Sequence, residues 1–350
     1  MTDDTDLEQL AEYVWELPQE GGMNVPARVF ASEEILELIR DDRTLEQARN
    51  ICHFPGIHKY ACVLPDAHQG YGMPVGGVIA LDAENGGISP GAVGYDINCG
   101  VRVMTTSLTY DEVRGKEQQL ANILFQKVPS GLGEGAVAGS LSTEEVEDIC
   151  LNGVQWAVDN GYAVEDDMTH CEDEGFRDEA AVEHISDKAK NRASEQAGSL
   201  GSGNHFLEVQ RVADIYDRET AEQYGLAEDQ VVVTIHCGSR GLGHQICSDF
   251  LRRIEQQHQQ ELEQLPDKEL AYAPAGSDLE EQYYEAMNAA INFAWVNRQL
   301  VMHQARKCFE RIFDQTADEM EMRLLYDVAH NIAKKEEHTV EDGHREVYVH

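Results

Sequence analysis

A carboxylate and a thiol, Asp96 and Cys99, lie in the glycine-flanked segment Gly91-Ala92-Val93-Gly94-Tyr95-Asp96-Ile97-Asn98-Cys99-Gly100, a turn in which both can face one ion. Thiolate and imidazole bind divalent transition metals strongly, so the question is whether histidines occupy comparable loops. Three do. His205 follows Gly201-Ser202-Gly203-Asn204, His236 ends the apolar run Val231–Ile235 ahead of Cys237-Gly238-Ser239-Arg240-Gly241, and His330 sits in Tyr326-Asp327-Val328-Ala329-His330-Asn331. Taken singly, each histidine reads first as a hydrogen-bonded structural residue and Cys99 as an inert buried thiol. Together they are stronger evidence, because each falls at a strand end or in a glycine loop, where side chains converge on clefts.

Two glycine loops suggest phosphate. Ser199-Leu200-Gly201-Ser202-Gly203 and Gly238-Ser239-Arg240-Gly241-Leu242-Gly243 expose backbone N–H groups that suit phosphate oxygens, and Arg240 adds a guanidinium fork. Neither matches the Walker or dinucleotide pattern, so tight turns remain the alternative.

The elements that must carry these residues are mixed. Ser32-Glu33-Glu34 before Ile35, Leu38, Ile39 and Leu45 predicts a capped helix over 32–49, and the capping box Ser142-Thr143-Glu144-Glu145 predicts another over 143–159. Short apolar runs at Cys62–Leu64, Val75–Leu81, Val101–Leu108, His205–Val212 and Val231–His236, set between Gly and Pro clusters, predict strands. Residues 163–190 read as a polar connection. Asp278–Phe313 has no Pro or Gly and predicts one long helix or two broken ones forming a wall of the core. Glu346–His350 alternates like a strand. With no fixed-period repeat, the expected fold class is α+β, mixed packed β-sheets flanked by helices.

Composition sets the frame. The 350 residues hold 65 acidic against 27 basic side chains, a formal charge of −38, yet 42% are hydrophobic, which places the chain among globular proteins rather than disordered ones. Acids spread along the chain predict an acidic surface that molar salt screens, hence a halophilic source. No apolar run is long enough to span a bilayer and the acidic start lacks a signal-peptide pattern, so the expected location is cytoplasmic, without a membrane. The eight scattered cysteines read as buried thiols or ligands, not a disulfide framework.

Several stretches, in order, closely resemble the RtcB-type RNA-splicing ligases: Pro65-Asp66-Ala67-His68-Gln69-Gly70-Tyr71-Gly72, Gly94–Arg102, Gly198–Glu208, His236–Gln245, Asn292-Phe293-Ala294-Trp295 and Tyr326–Lys334. The resemblance is closest to archaeal members and runs over nearly the whole chain. It implies a single ligase domain over 1–350 that joins RNA 3′-phosphate or 2′,3′-cyclic phosphate ends to 5′-hydroxyl ends with GTP and two Mn²⁺ ions. By it, Asp96, Cys99, His205, His236 and His330 are metal ligands with Cys99 bridging, Asn204, Phe206, Glu208 and Asn331 line the GTP site, and Arg240 contacts phosphate. Ligand softness by itself points first to zinc. The implied partners are RNA, as tRNA exon halves or broken RNA, and an archease-type activator.

In the family the strand at Val349-His350 continues, and the nucleophilic histidine lies later, in a Cys-His-Gly-Ala-Gly-Arg segment. None of the 14 histidines here matches that motif, so the nucleophile is expected to be absent from these residues and the C-terminal part of the domain to be missing. The chain alone is then expected not to form enzyme–GMP. The alternatives are a non-catalytic metal-binding N-terminal fragment and a metal-dependent phosphoesterase. RNA contact at this net charge calls for a local basic pocket, with Arg102, Arg192 and Arg240 as its candidates.

Overall fold

The computed structural model describes residues 7–131, 135–263, 265–340 and 343–350. They fall into two compact units. The first takes residues up to Tyr95, Ile246–Tyr284 and Asn331–His350; the second takes Asp96–Gln245 and Glu285–His330. The elements are an α+β mixture, as the sequence predicts.

In the first unit a five-stranded sheet runs in the order Glu8–Ala11, Val14–Leu17, Ala27–Phe30, Ala61–His68, Val75–Val78. Only the Ala27–Phe30 and Ala61–His68 pair is parallel. Leu17, Val29 and Val63 from the sheet pack with Leu36, Ile39, Ile51 and Phe54 in one apolar core. The helix expected over 32–49 is two, Glu33–Arg40 and Thr44–Ile51. Ser32 caps the first as predicted, and Asp42 accepts the Thr44 N–H at 2.8 Å, starting a second helix where one was expected to continue. A three-stranded sheet pairs Lys334–Val340, Gly343–Val349 and Ala80–Asp82, so the alternating C-terminal segment is a strand.

The second unit is built on an antiparallel sheet ordered Arg323–Ala329, Gly100–Thr109, Gln230–Cys237, Phe206–Arg211. Even-numbered residues of Gly100–Thr109 are buried from Arg102 to Leu108. Arg102 on that face meets the helix Asp278–Phe313 at Gln299 and at the Trp295 carbonyl. That helix is unbroken over its 36 residues. The helix expected over 143–159 divides at Gly153, whose φ is 55° and whose added Cβ would lie 2.3 Å from the Gly175 carbonyl oxygen. The stretch 163–190 is less open than its polarity suggests. It holds the short helix Glu165–Thr169, and Asp167 is buried in a bidentate pair with Arg306 at 2.7 and 2.8 Å. Among the described residues no helix is long and apolar enough to cross a membrane. All eight cysteines are free thiols.

Candidate metal centre

The antiparallel register gathers the predicted ligands at one end of the four-stranded sheet. Gly100–Thr109 begins there, so Cys99 precedes it. Gln230–Cys237 ends there, with His236 opposite Val101 on one side and Phe206 on the other. His205 immediately precedes the Phe206–Arg211 strand, and His330 immediately follows Arg323–Ala329, whose Ala329 pairs with Gly100. Adjacent antiparallel strands alternate beginnings and ends at one edge. Four of the ligands therefore come together although they are spread over more than two hundred positions of sequence.

Cys99 Sγ lies 3.3 Å from His205 Nε2 and 3.2 Å from His236 Nε2; His236 Nε2 lies 3.1 Å from His330 Nε2; His205 Nε2 lies 2.8 Å from Asp96 Oδ2. Two donor groups result, Cys99/His236/His330 and Asp96/Cys99/His205, each with its donor atoms within 4.8 Å of one another. They share Cys99. The backbone sets two of the imidazoles. His205 Nδ1 is 2.8 Å from the Leu200 carbonyl and His236 Nδ1 is 3.1 Å from the Asn204 carbonyl. A carbonyl only accepts, so an ion bound beside Cys99 would select the tautomer with the proton on Nδ1 in both rings, which leaves each Nε2 lone pair for the ion.

The electrostatics suit a cation. Burial pushes the Asp96 carboxyl up, but His205 and Arg240 outweigh it and hold the group below the usual carboxylate range. Burial, and then Asp96, push the Cys99 thiol far above its ordinary value, so thiolate forms here only when a positive charge takes the proton's place. Burial lowers His236, keeping it neutral and able to donate a lone pair. Nitrogen, sulfur and carboxylate donors crowded at these distances fit divalent transition metals.

The phosphate-suited loops adjoin this cluster. Arg240, at φ 56°, places Nε 3.4 Å from Ser199 Oγ and Nη1 3.4 Å from His205 Nδ1. Its guanidinium lies directly on Gly201, where an added Cβ would come within 2.0 Å of it. Gly238 admits Asp96 in the same way, its added Cβ falling 2.6 Å from Oδ1. Phe206 packs edge-on against His236, ring centroids 5.3 Å apart, while Asn204 and Glu208 are exposed beside it. Asn331 belongs to the first unit, where it lies beside Gly94. Cys237 points away from the ligand cluster, its Sγ accepting from Asn297 Nδ2 at 3.4 Å, as alternation along a strand requires.

Of the basic candidates, Arg102 cannot meet RNA: it is fully buried and its Nε donates to Asp327 Oδ2 at 2.6 Å. Arg192 is exposed and Arg240 is buried against the loops. Sequence reading missed the polar residues behind the ligands. Asn297 accepts from the Gly198 and Ser199 N–H groups and donates to the Ser199 and Gly238 carbonyls, tying the two loops together. Three consecutive polar residues, Asn297-Arg298-Gln299, set between the apolar runs Phe293–Val296 and Leu300–Met302 were the available signal, because three neighbours span more than half the helix circumference.

Fold and cluster together define a class, an α+β protein with a candidate paired-ion centre next to a phosphate-suited loop. The family model described as tRNA-splicing ligase RtcB matches residues 47–350. The tRNA-splicing ligase RtcB of Thermococcus kodakarensis is 51% identical over 346 residues, covering 98% of this chain and 71% of that protein. That of Nanoarchaeum equitans is 47% identical over 344 residues, again 98% and 71%. The RNA-splicing ligase RtcB homolog 1 of Entamoeba histolytica is 39% identical over 344 residues, 94% of this chain and 64% of that protein. The chain belongs to the RtcB tRNA-splicing ligase family, a family of RNA-joining enzymes.

Proposed function

We propose that this chain carries the metal centre of a GTP- and manganese-dependent RNA ligase that joins 3′-phosphate or 2′,3′-cyclic phosphate ends to 5′-hydroxyl ends, in tRNA splicing or RNA repair. The observation that carries the reading is the pair of donor groups sharing Cys99 within reach of Arg240. Asp96, Cys99 and His205 would hold one ion, and Cys99, His236 and His330 the other. Bound there, the ions supply charge neutralisation of phosphate oxygens and orientation of the attacking and leaving groups. Arg240, braced by Ser199, offers a guanidinium to a phosphate. Asn204, Phe206, Glu208 and Asn331 are assigned to GTP, with Phe206 offering a ring and Glu208 a carboxylate acceptor for the base. RNA halves or broken RNA are the substrates, an archease-type protein the activator and the cytoplasm the setting.

Binding is the direct readout of these residues. Equilibrium dialysis with GTP should show uptake that requires Mn²⁺ and falls at least about tenfold in Arg240→Ala, the size of a lost charge-assisted contact. Equal uptake without Mn²⁺ and by Arg240→Ala would remove the reading.

A further inference from the structure

The buried face of the helix Asp278–Phe313 is polar where the ligand segments meet it. Arg298 is fully buried and touches three of those segments at once. Its Nη1 donates to the Asn98 carbonyl at 2.6 Å and the Cys237 carbonyl at 2.8 Å, and its Nη2 donates to Asn98 Oδ1 at 2.6 Å. Its Nε and Nη2 donate to the Asp327 carboxylate at 2.8–3.1 Å. Asn98 precedes Cys99, Cys237 follows His236, and Asp327 lies on the strand that delivers His330. Asn98 itself sits at φ 55°, a left-handed backbone that costs a non-glycine residue energy and persists only when its surroundings hold it. Asp327 is gripped again by Arg102, from the strand that starts beside Cys99. The His330 N–H donates to the Cys99 carbonyl at 2.9 Å, closing the ring of contacts.

A buried ion pair is weak evidence for stability, since desolvation offsets its attraction. Its specific reach is more informative. We propose that Arg298, anchored by Asp327, is a positioning residue that fixes the mutual placement of Cys99, His236 and His330 and so sets the affinity and coordination geometry of the metal centre; this rests on the metal reading above. A guanidinium is suited to the task because its planar fork satisfies a carboxylate on one edge and carbonyls on the other, which an ammonium cannot do.

The test uses Co²⁺, whose visible and thiolate-to-metal bands report coordination, titrated into the whole chain as wild type, Arg298→Lys and Arg306→Lys, with melting of the metal-free proteins in parallel. Arg306→Lys damages a comparable buried pair on the same helix, with Asp167, which reaches Asp327 only through Gln299 and Arg102. Both variants are expected to melt lower. Only Arg298→Lys is expected to weaken Co²⁺ binding, by about 10–100-fold, and to alter the bands. If Arg298→Lys does not fold, Asn98→Gly decides, because glycine accepts the left-handed backbone and only the Oδ1 contact is lost; weaker binding with shifted bands is expected. Wild-type affinity and bands in the variant, or equal weakening by Arg306→Lys, would overturn the positioning role. Failure of the wild type itself to bind Co²⁺ would instead overturn the metal reading on which the role depends.

Discussion

Cys99 is the residue on which both donor groups turn, and His205 and His330 are the residues that distinguish them. His205→Ala and His330→Ala should therefore each leave about one tight metal site in a titration, whereas loss of both ions from either variant would show that the groups do not act separately. A second residue-scale prediction concerns His350, buried with Nε2 accepting the Ser89 N–H at 3.1 Å. Burial lowers its pKa from 6.5 to about 4. The unfolded state then takes up a proton that the folded state refuses, so stability is full above about pH 6.5 and declines as pH falls toward 4. Denaturant midpoints at pH 7 and pH 5 should differ by the equivalent of about 2 kcal/mol more in wild type than in His350→Gln. An identical pH slope in the two proteins would show that the ring is not buried neutral. At this scale the five candidate ligands were legible because each sits against glycine or at the end of an apolar run. Asn297 and Arg298 were not, because a polar residue within a helix reads as solvent-facing unless its partners, far off in sequence, are known.

Elements supply what residue types cannot, the strand ends and loop approaches that bring side chains into register. The strands at 61–68, 100–109, 206–211 and 230–237 were visible as apolar runs between turn residues, and the long helix as a stretch free of breakers. Two helix breaks were not visible. The gap after Arg40 is held by Asp42, which accepts the Thr44 N–H just ahead of the second helix, and the gap at Gly153 by backbone 22 positions away. The order of strands also lay beyond sequence reading, since periodicity marks a strand without naming its neighbours. The close approach of Arg240 to Gly201 makes an element-scale prediction. Gly201→Ala would put a Cβ into the guanidinium at a backbone φ of 91°, so Arg240 must move. GTP affinity should fall about tenfold or more in dialysis while Mn²⁺ binding stays within about twofold. Unchanged GTP binding would argue that Arg240 does not contact phosphate.

At the scale of the whole molecule, the formal charge of −38 makes ionic strength a structural variable. Self-repulsion among exposed carboxylates destabilises the compact state in dilute buffer, and molar salt shortens the screening length to about 3 Å. The melting temperature followed by far-UV circular dichroism should be higher in 3 M than in 0.1 M KCl; equal values would mean that the acids are already neutralised by local partners. On the function proposed above, the same charge would require RNA to be met through a restricted cationic place, for which Arg240 and Arg192 are the candidates and bound metal ions would add positive charge. That dependence makes metal stoichiometry the most direct test. Mn²⁺ titrated into the chain and followed by electron paramagnetic resonance should give two bound ions per chain, with tight binding of both lost in Cys99→Ala. One ion or none in the wild type, or two ions retained by Cys99→Ala, would contradict a paired centre built on a shared thiolate.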